Sequence, residues 1–459
     1  MEEYSLKTLI RLFGGDPGVF TGLDPDRMIR EIVTDSRTIR DGDVFFALKG
    51  KTYDGADFAE NALKKGAVMA VVNRDATRGR MFSGPVLAVD DTLLALGVVA
   101  KDYRKRFTVK TVAVTGTSGK TTVKDMAIMI LAKRHPVHGT PGNYNNFIGV
   151  PLSVFGLTTR HRWAVFELGM SAPGEIRYLA DLTQPDVGVI LNVGPGHIEF
   201  FKSLGEIAAA KMELLDALPS DGTAVINADD EFLKTAERRT HARIIGFGVK
   251  NRCEYRAENV ELRQDGCVSF TVEGNRIDLN VPGLHNVYNA LAAYAIGSIA
   301  DVRGSDAAAA LRSFTAPNMR MQSFIKNGIR FIDDSYNANP LSMRAAAEVL
   351  RHIGGKRRIA VLGDMLELGK EAETAHEEIG GLFGSIGLDL LCLVGNMAGG
   401  YRKGAVQSGM KAGSVWTFGD KNEAAEFIDR AKRPGDVILV KGSRALGLET
   451  IIHSLSGVD

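Results

Sequence analysis

Short apolar runs alternate along most of the chain with longer segments in which apolar residues recur at helical spacing. In the middle of the chain, the strand-like runs are residues 111–115, 163–166, 187–193 and 224–226. The helix-like segments around them include residues 92–106, 204–218 and 286–300. Strand and helix signals that alternate in this way are typical of an α/β fold, so the pattern predicts a doubly wound, mostly parallel sheet.

The pattern differs on both sides of this section. Residues 1–90 hold shorter strand-like pieces at 42–50 and 67–72, which predict a small α/β domain. Residues 253–281 switch to alternating strands around Gly-containing turns, which predicts a small antiparallel sheet attached to the central domain.

Strand–helix alternation resumes in the carboxyl-terminal section, which predicts a Rossmann-like domain. Its strand-like runs are residues 329–332, 359–362, 390–394 and 437–440. Linkers are expected at Asp90-Asp91 and at Ala316-Pro317-Asn318. The predicted domains are therefore residues 1–90, 91–317 and 318–459.

Composition narrows the class of protein. With 45% hydrophobic residues in 459, the chain can fill several cores. Lys and Arg number 56 against 55 Asp and Glu, a net charge of +1, so no overall field attracts nucleic acid or an anionic membrane. The three Cys lack disulfide or metal spacing, and no apolar run approaches the roughly 18 residues of a membrane span. We expect a cytoplasmic protein with neither nucleic acid nor a membrane span.

The segment TVAVTGTSGKTT, residues 111–122, carries the strongest chemical signal. A phosphate chain needs close backbone N–H groups, which Gly116 and Gly119 permit, together with a helix N-terminus and the cation of Lys120. Thr121 would supply a hydroxyl to Mg²⁺. The common longer form of this loop has Gly where this chain has Val114, and an ordinary Gly-rich turn is the alternative.

Helical spacing follows the loop directly. Val123, Met126, Ala127 and Ile130 fall on one face, and Lys124 and Asp125 are expected to face away from it. The strand–loop–helix context that the phosphate-binding motif requires is therefore predicted. The sequence indicates a protein that handles a nucleoside triphosphate.

Polar residues follow two further predicted strands. Glu167 follows residues 163–166, and His197 lies just beyond residues 187–193. Ligands collect at the carboxyl ends of parallel strands, so Thr121, Glu167 and His197 together predict a divalent-metal site beside the triphosphate. Taken alone, Glu167 or His197 is better explained as a loop residue bonded to the backbone, and only their joint placement beside the phosphate loop favours the metal site.

Lys211 lies within the apolar stripe of the predicted helix 204–218, whereas Glu206 and Glu213 mark its charged face. One interpretation is a long side chain whose ammonium reaches water. The other is a partly buried lysine with a lowered pKa, available for chemistry or modification.

Asn286 and Asn289 lie three residues apart at a predicted helix start. Asn offers both a donor and an acceptor, which suits an adenine edge. A helix N-cap is the alternative role for Asn286.

With these residues in this order, the whole chain resembles the Mur ligase family of ATP-dependent amide-forming enzymes, to which the folylpolyglutamate synthetases are related. The short loop G-x-x-G-K-T-T is the form found in that family. The resemblance implies three domains: one for the UDP end of a peptidoglycan precursor, a central ATPase, and a Rossmann-like domain for the amino component.

Four segments favour the branch of the family that adds D-alanyl-D-alanine to UDP-N-acetylmuramoyl-tripeptide through an acyl phosphate: the first resembles a uridine-nucleotide domain that this branch shares with the preceding ligase, and the other three resemble the dipeptide-adding branch itself. They are TDSRTIRDGDVFFALKGKTYDGADF, DDSYNANP, GDMLELG and VKGSR, which begin at residues 34, 333, 363 and 440. The D-N-P-R motif by which diaminopimelate-adding members recognise their amino acid is absent. The segment GDMLELG suits either a tight turn or the dipeptide pocket, which leaves the roles of Asp364, Glu367 and His376 open.

The resemblance also implies roles for individual residues. ATP would contact the loop residues Gly116, Thr117, Ser118, Gly119, Lys120, Thr121 and Thr122, adenine would contact Asn286 and Asn289, the phosphates Arg320, and the ribose Asp334. Two Mg²⁺ ions would be held by Thr121 and Glu167 and by His197 and a carbamylated Lys211. The precursor would contact Asp35, Ser36, Arg37, Asn145 and Asn146, and the dipeptide Asn337, Asn339 and Ser443.

Three other functions compete with this interpretation. A folylpolyglutamate-type ligase shares the central machinery but would lack the amino-terminal domain. A phosphate-loop kinase or NTPase switch would release ADP without an amine acceptor. In a non-catalytic nucleotide-binding regulator, an intact set of Lys120, Glu167, His197 and Lys211 would serve no purpose; the resemblance implies that these four residues and Arg320 are catalytic. We expect a monomer, and the sequence itself leaves the oligomeric state open.

Overall fold

The computed structural model describes residues 1–20, 22–50 and 52–457, and the strands of these residues form four sheets. The first sheet is parallel, with its strands in chain order. They are β1 (Ile32–Val33), β2 (Val44–Phe46), β3 (Met69–Asn73) and β4 (Val86–Val89), with helices α1 (Leu6–Leu12) and α2 (Ala59–Lys64). Successive side chains of β2 and β3 pack on opposite faces, one against α1 and the other against α2.

The central sheet is parallel and lies between two layers of helices, which confirms the doubly wound prediction. Its strands are β5 (Lys110–Thr115), β6 (Val137–Gly139), β7 (Trp163–Glu167), β8 (Val187–Ile190), β9 (Thr223–Asn227), β10 (Arg243–Gly248) and β11 (Tyr255–Arg256). The helices are α3 (Thr92–Arg104), α4 (Lys120–Leu131), α5 (Gly149–Val154), α6 (Glu175–Thr183), α7 (Leu204–Asp216), α8 (His285–Ile299) and α9 (Gly304–Arg312). The spatial order β11-β10-β9-β8-β5-β7-β6 places β5, the strand before the phosphate loop, between β8 and β7.

The small antiparallel sheet is present but begins later than predicted. It consists of β12 (Glu258–Leu262), β13 (Cys267–Val272) and β14 (Asn275–Pro282). The earlier piece, β11, instead pairs in parallel with β10 and extends the central sheet. The prediction that all of residues 253–281 belong to the antiparallel sheet is therefore wrong for β11, because a two-residue edge strand leaves no periodicity to interpret.

The carboxyl-terminal sheet has five parallel strands and one antiparallel edge strand. Its order is β15-β16-β20-β17-β18-β19, where β15 is Gln322–Lys326, β16 Ile329–Asp334, β17 Arg357–Gly363, β18 Leu390–Val394, β19 Val415–Phe418 and β20 Asp436–Lys441. Its helices are α10 (Pro340–His352), α11 (Ala372–Ser385), α12 (Ala398–Gln407), α13 (Lys421–Ala431) and α14 (Glu449–Ser456). The apolar pattern of the sequence did not predict the partly exposed edge strands β15 and β19.

One apolar core joins the first sheet to the central domain. It runs from Tyr4 and Leu6 through α3 to the central helices α5, α6 and α7. The hydroxyl of Tyr103 in α3 donates to the carbonyl of Leu157, and Lys101 pairs with Asp181. By contrast, the carboxyl-terminal sheet has a core on each face made of its own residues. The boundaries predicted at residues 90 and 317 remain predictions.

Within the described ranges, no helix combines the length and apolar character that a membrane crossing requires.

Candidate active site

The predicted phosphate loop connects β5 to α4 and is held in shape by Asn192, which follows β8. The backbone N–H of Ser118 donates to Oδ1 of Asn192 at 2.9 Å, and that of Thr117 donates to its carbonyl at 3.1 Å. Gly119 has φ of +89° and caps α4, and a Cβ there would lie 2.4 Å from Oδ1 of Asn289. Glycine is therefore required at this position by both conformation and space.

Lys120 is the first residue of α4, and its Nζ donates to the carbonyl of Gly116 at 2.9 Å. Burial lowers the pKa of Lys120, the nearby charge of Glu167 opposes that shift, and the charge of Arg320 adds to it. Two cations from different domains thus lie at the mouth of the loop. Together with the N-terminus of a helix, they form a site for a polyanion.

Glu167 ends β7 directly beside the loop and is almost fully buried. The Thr121 hydroxyl donates to one of its oxygens at 2.7 Å, and the Asn145 amide donates to the other at 2.7 Å. The backbone N–H of Glu167 donates to the Thr140 hydroxyl at 3.1 Å. A hydroxyl and a carboxylate are the hard oxygen ligands that Mg²⁺ prefers, so Thr121 and Glu167 suit this ion when phosphates complete its shell.

Lys124 does not face away from the apolar side of α4, as the sequence had predicted. Its side chain is buried, and Nζ donates to the carbonyls of Thr140 and Gly142 at 2.9 and 2.8 Å and lies 3.0 Å from Asp125. The prediction was wrong because the loop after β6 covers this face of the helix. Lys124 thereby fastens the loop that carries Asn145 to the helix that carries Lys120 and Thr121.

Replacing Lys124 with Met should therefore lower turnover by about tenfold and the free energy of unfolding by about 2 kcal/mol. Two charge-assisted hydrogen bonds are lost, while the cost of burying the ammonium is relieved. Urea unfolding and turnover of the purified variant measure both effects. Lys133→Met, at an exposed position just beyond the end of the same helix, is the matched control. Equal behaviour of the two variants would show that Lys124 does not fasten the loop.

His197 lies in the loop after β8 with φ of +60°. Its Nδ1 is 2.5 Å from Oε2 of Glu367 in the carboxyl-terminal domain, although the geometry is not that of a straight N–H···O hydrogen bond. Burial lowers the pKa of His197, Glu367 opposes that shift, and the charges of Lys120 and Lys211 reinforce it. His197 is thus close enough to both lysines to share their electrostatic environment.

Lys211 is 3% exposed in the middle of α7. The interpretation of Lys211 as a long side chain whose ammonium reaches water is therefore wrong. Burial lowers the pKa of Lys211 well below its ordinary value, and Lys120 adds to the shift. The neighbouring prediction for Glu213 was also wrong, because this residue is buried and accepts from the N–H groups of Gly174 and Arg177 at the start of α6.

Asn286 and Asn289 lie beneath the loop and contact each other. The amide of Asn289 donates to Oδ1 of Asn286 at 2.8 Å, and the Asn286 amide donates to the carbonyl of Pro282 at 2.8 Å. Asn286 is not the N-cap of α8, which begins at His285. The Asp334 carboxylate accepts from the Lys441 ammonium at 2.5 Å. Both charges act on the imidazole of His285, which directly precedes Asn286, so Asp334 lies near the asparagine pair.

The carboxyl-terminal domain contributes further side chains around the loop. The Arg320 guanidinium lies 3.8 Å from the centroid of the Tyr336 ring, a cation–π contact that orients it. Asn339 caps α10, and its amide approaches the Ser118 hydroxyl of the phosphate loop at 3.4 Å. Asn339 therefore lies beside the phosphate loop. Its contact with the dipeptide stays a prediction.

Several candidate residues already have partners within the protein. Asn337 accepts at Oδ1 from the N–H of Ala338, the Ser443 hydroxyl accepts from the N–H of Leu366, and Asn146 accepts from the N–H groups of Ile148 and Gly149 at the start of α5. These bonds fix loops near the site. Whether the same side chains contact substrates stays a prediction.

Asp35, Ser36 and Arg37 follow β1 in the first domain. Arg37 makes a bidentate pair with Asp35, and this bonding lowers the pKa of the Asp35 carboxyl to about 2. The Ser36 carbonyl accepts from Lys65 at 3.1 Å. These three residues follow a strand of the first sheet, whereas the phosphate loop follows a strand of the central sheet.

The sequence did not indicate that Asn192, Thr140 and Tyr336 belong to the site. It also did not indicate that Lys124 is buried and bonded to the loop after β6. Asn192 follows a parallel strand at its carboxyl end, so the rule that selected Glu167 and His197 would have selected it as well. Tyr336 belongs to the segment DDSYNANP, but no spacing in the sequence indicates that its ring packs against the Arg320 guanidinium.

Within the described ranges, no three His, Cys, Asp or Glu side chains come together as a ready-made metal centre. The oxygen pair of Thr121 and Glu167 is of the kind that Mg²⁺ uses together with phosphate oxygens. The fold and this site define a three-domain α/β protein built to hold a nucleoside triphosphate.

Comparison with known proteins agrees with this class. Models described as Mur ligase family catalytic domain, Mur ligase middle domain and Mur ligase glutamate ligase domain match residues 28–104, 114–297 and 319–444. The UDP-N-acetylmuramoyl-tripeptide--D-alanyl-D-alanine ligase of Bacillus subtilis (strain 168) is 35% identical over 433 residues, 93% of each chain. The chain belongs to the Mur ligase family.

Solved structures give the same result at the level of the fold. A crystal structure of MurF from Acinetobacter baumannii matches with a TM-score of 0.89 and 32% identity over 100% of both chains. MurF ligase from Thermotoga maritima, solved in complex with ADP, matches with a TM-score of 0.83 and 29% identity over 94% of this chain and 98% of that one. The match of a Mur ligase domain to residues 28–104 counts against the folylpolyglutamate-type alternative, in which such a domain would be missing.

Proposed function

We propose that this protein is an ATP-dependent ligase that joins D-alanyl-D-alanine to UDP-N-acetylmuramoyl-tripeptide in peptidoglycan precursor synthesis. The observation that carries the proposal is the arrangement at the phosphate loop of Lys120 with the buried pair Thr121 and Glu167, which suits Mg²⁺-ATP. The reaction for which the Bacillus relative is named supports the choice of the other two substrates. ATP and UDP-linked precursors are cytoplasmic pools, so the proposal places the protein in the cytoplasm, where it would act as a monomer.

The proposed reaction begins with activation of a carboxylate, which by itself is a poor electrophile. An oxygen of the tripeptide's terminal carboxylate attacks the γ-phosphorus of ATP, the bond to the bridging oxygen breaks, and an acyl phosphate and ADP form. The amine of the dipeptide then attacks the acyl carbon, phosphate leaves, and the nitrogen loses a proton. Negative charge builds up first on the transferring phosphoryl group, where Lys120 and Arg320 would stabilise it.

Magnesium, when bound, neutralises phosphate charge and polarises the phosphoryl oxygens. Thr121 and Glu167 would hold one ion through their hydroxyl and carboxylate oxygens. Asn145 would keep the Glu167 side chain in place through the amide bond described above. The buried surroundings of Glu167 strengthen each of these electrostatic interactions.

A second ion would require a different side chain from the ammonium of Lys211. We propose that the Lys211 amine adds to CO₂ and loses a proton to give a carbamate. The lowered pKa supports this step, because only the neutral amine is nucleophilic. The resulting carboxylate would suit a metal beside His197 better than an amine.

Replacing Lys211 with Ala should then reduce turnover by about 10²-fold, and acetate or formate should restore part of it. Loss of a metal-binding carboxylate is expected to cost about 3 kcal/mol of transition-state stabilisation, which corresponds to that factor. Independently of activity, protein equilibrated with ¹³C-bicarbonate should show a carbamate resonance that Lys211→Ala lacks. Rescue by methylamine instead of the acids would mean that Lys211 acts as a plain cation.

Phosphate release tests the proposed function itself. Purified protein receives Mg²⁺-ATP, UDP-N-acetylmuramoyl-tripeptide and D-alanyl-D-alanine, and each component is omitted in turn. We expect release only with all of them, together with the UDP-linked pentapeptide by mass spectrometry. Release without the dipeptide would favour the kinase or NTPase alternative, and a requirement for a different acceptor would mean that the substrate assignment is wrong.

A further inference from the structure

The turn from Gly363 to Gly369 follows β17 and is held rigidly by its own domain. The Asp364 carboxylate accepts from the N–H groups of Asn396 and Met397. The N–H of Met365 donates to Nε2 of the buried His376, and the N–H of Leu366 donates to the hydroxyl of Ser443, both at 2.9 Å. Asp364 and His376 thus have structural roles in a tight turn.

Glu367 differs from these residues, because its side chain crosses to the central domain. Its Oε2 lies 2.5 Å from Nδ1 of His197, and its carbonyl accepts from the N–H of Glu199 at 3.2 Å. A Cβ on Gly369 would lie 3.3 Å from Cα of Glu199, so the two turns pack closely. The contact therefore includes both backbone and side chain.

Both residues of the pair have unusual backbone conformations. Glu367 has φ of +62° and His197 has φ of +60°, in the left-handed region that residues other than glycine adopt rarely. Such conformations are strained and persist where the surrounding structure fixes them. An observed pair of this kind, one on each side of a domain boundary, points to a function for the contact.

We propose that Glu367 is a positioning residue that holds the His197 imidazole across the domain boundary and thereby makes metal–nucleotide binding depend on docking of the carboxyl-terminal domain. The proposal rests on the proposed function, which assigns a metal to His197 and a carbamate to Lys211. Carboxylates commonly orient metal-binding imidazoles through the ring nitrogen that does not bind the metal. Glu367 also offsets the positive charge that Lys120 and Lys211 bring to His197.

Glu367→Gln tests the proposal, since it removes the charge and keeps the shape of a half-exposed side chain. Mn²⁺ binding in the presence of ADP is followed by electron paramagnetic resonance, together with kcat, KM for the UDP-linked substrate and the melting temperature. We expect Mn²⁺ affinity at one class of sites to fall about 10- to 100-fold, as for other residues that orient metal ligands. kcat should fall, whereas KM for the UDP-linked substrate and the melting temperature should not change.

Glu371→Gln is the matched control, because Glu371 is an exposed carboxylate that follows the same turn. If the Glu367→Gln variant has the same Mn²⁺ affinity and the same kcat as the Glu371→Gln control, the proposal is wrong. In a His197→Ala background, Glu367→Gln should have no further effect on Mn²⁺ binding, and additive losses would mean that the residues act independently. If the wild-type protein released no acceptor-dependent phosphate, the proposed ligase activity would be wrong, while the Mn²⁺–ADP measurement would still decide the role of Glu367.

Discussion

Replacing Lys120 with Ala should lower turnover by roughly 10³-fold or more while the protein stays folded. Lys120 begins α4, its ammonium donates to the carbonyl of Gly116, and the charge of Arg320 acts on it at the mouth of the phosphate loop. Groups that stabilise the transferring phosphoryl charge in P-loop enzymes and kinases contribute factors of about 10³–10⁵. Folding should not depend on the ammonium, whose bond within the protein is to the carbonyl of Gly116. Phosphate release with all substrates present measures the effect.

Two further variants make the result specific. Lys133→Ala removes an exposed cation just beyond the end of the same helix and should leave turnover unchanged. Lys120→Arg keeps the charge but adds bulk in a tight loop, so it should recover at most a small part of the lost rate. A Lys120→Ala enzyme with nearly normal turnover would mean that the phosphate loop does not bind the reacting nucleotide.

The phosphate loop could be predicted from the sequence because its function is local. Gly119, Lys120 and Thr121 are adjacent, and the strand and helix on either side have clear periodicity. The parallel order of the central strands then brings Glu167 to the same rim, where its carboxylate accepts from the Thr121 hydroxyl. Alternation and strand ends were therefore enough to find the first half of the site.

The rest of the site depends on contacts between distant parts of the chain. Asn192 reaches Ser118 over 74 positions, and Lys124 binds carbonyls that belong to a loop rather than to a strand or helix. Helical spacing placed Lys124 on the wrong side because the periodicity of α4 says nothing about what covers each face. The contact of Glu367 with His197 joins two turns in different domains and has no periodic signal at all.

The distribution of the cores shows why this boundary matters. The first and central domains share one apolar core through α3, whereas the carboxyl-terminal sheet is packed on both faces by its own side chains. The carboxyl-terminal domain nevertheless supplies Arg320, Asn339 and Glu367 to the loop region. We infer that motion at the second linker would disassemble the site more readily than motion at the first.

Glu167→Gln should reduce turnover by about 10²-fold or more and raise the Mg²⁺ concentration required for half-maximal rate. Gln has nearly the same shape as Glu and can still bond to Thr121 and Asn145, so the loop should keep its structure. What disappears is the negative charge of a buried group at the proposed metal position. A loss of about 3 kcal/mol of electrostatic stabilisation corresponds to that decrease in rate.

A buried glutamate elsewhere in the same domain separates the metal effect from burial alone. Glu213→Gln changes a carboxylate that accepts from two N–H groups at the start of α6, so it should lower the melting temperature without changing the Mg²⁺ dependence. Binding of ADP to Glu167→Gln, measured with excess EDTA and again with Mg²⁺, gives the second comparison. The variant should match the wild type without the metal and bind more weakly with it, because the carboxylate acts on the nucleotide through the ion. Equal weakening under both conditions would instead mean that Glu167 shapes the loop and does not hold the metal.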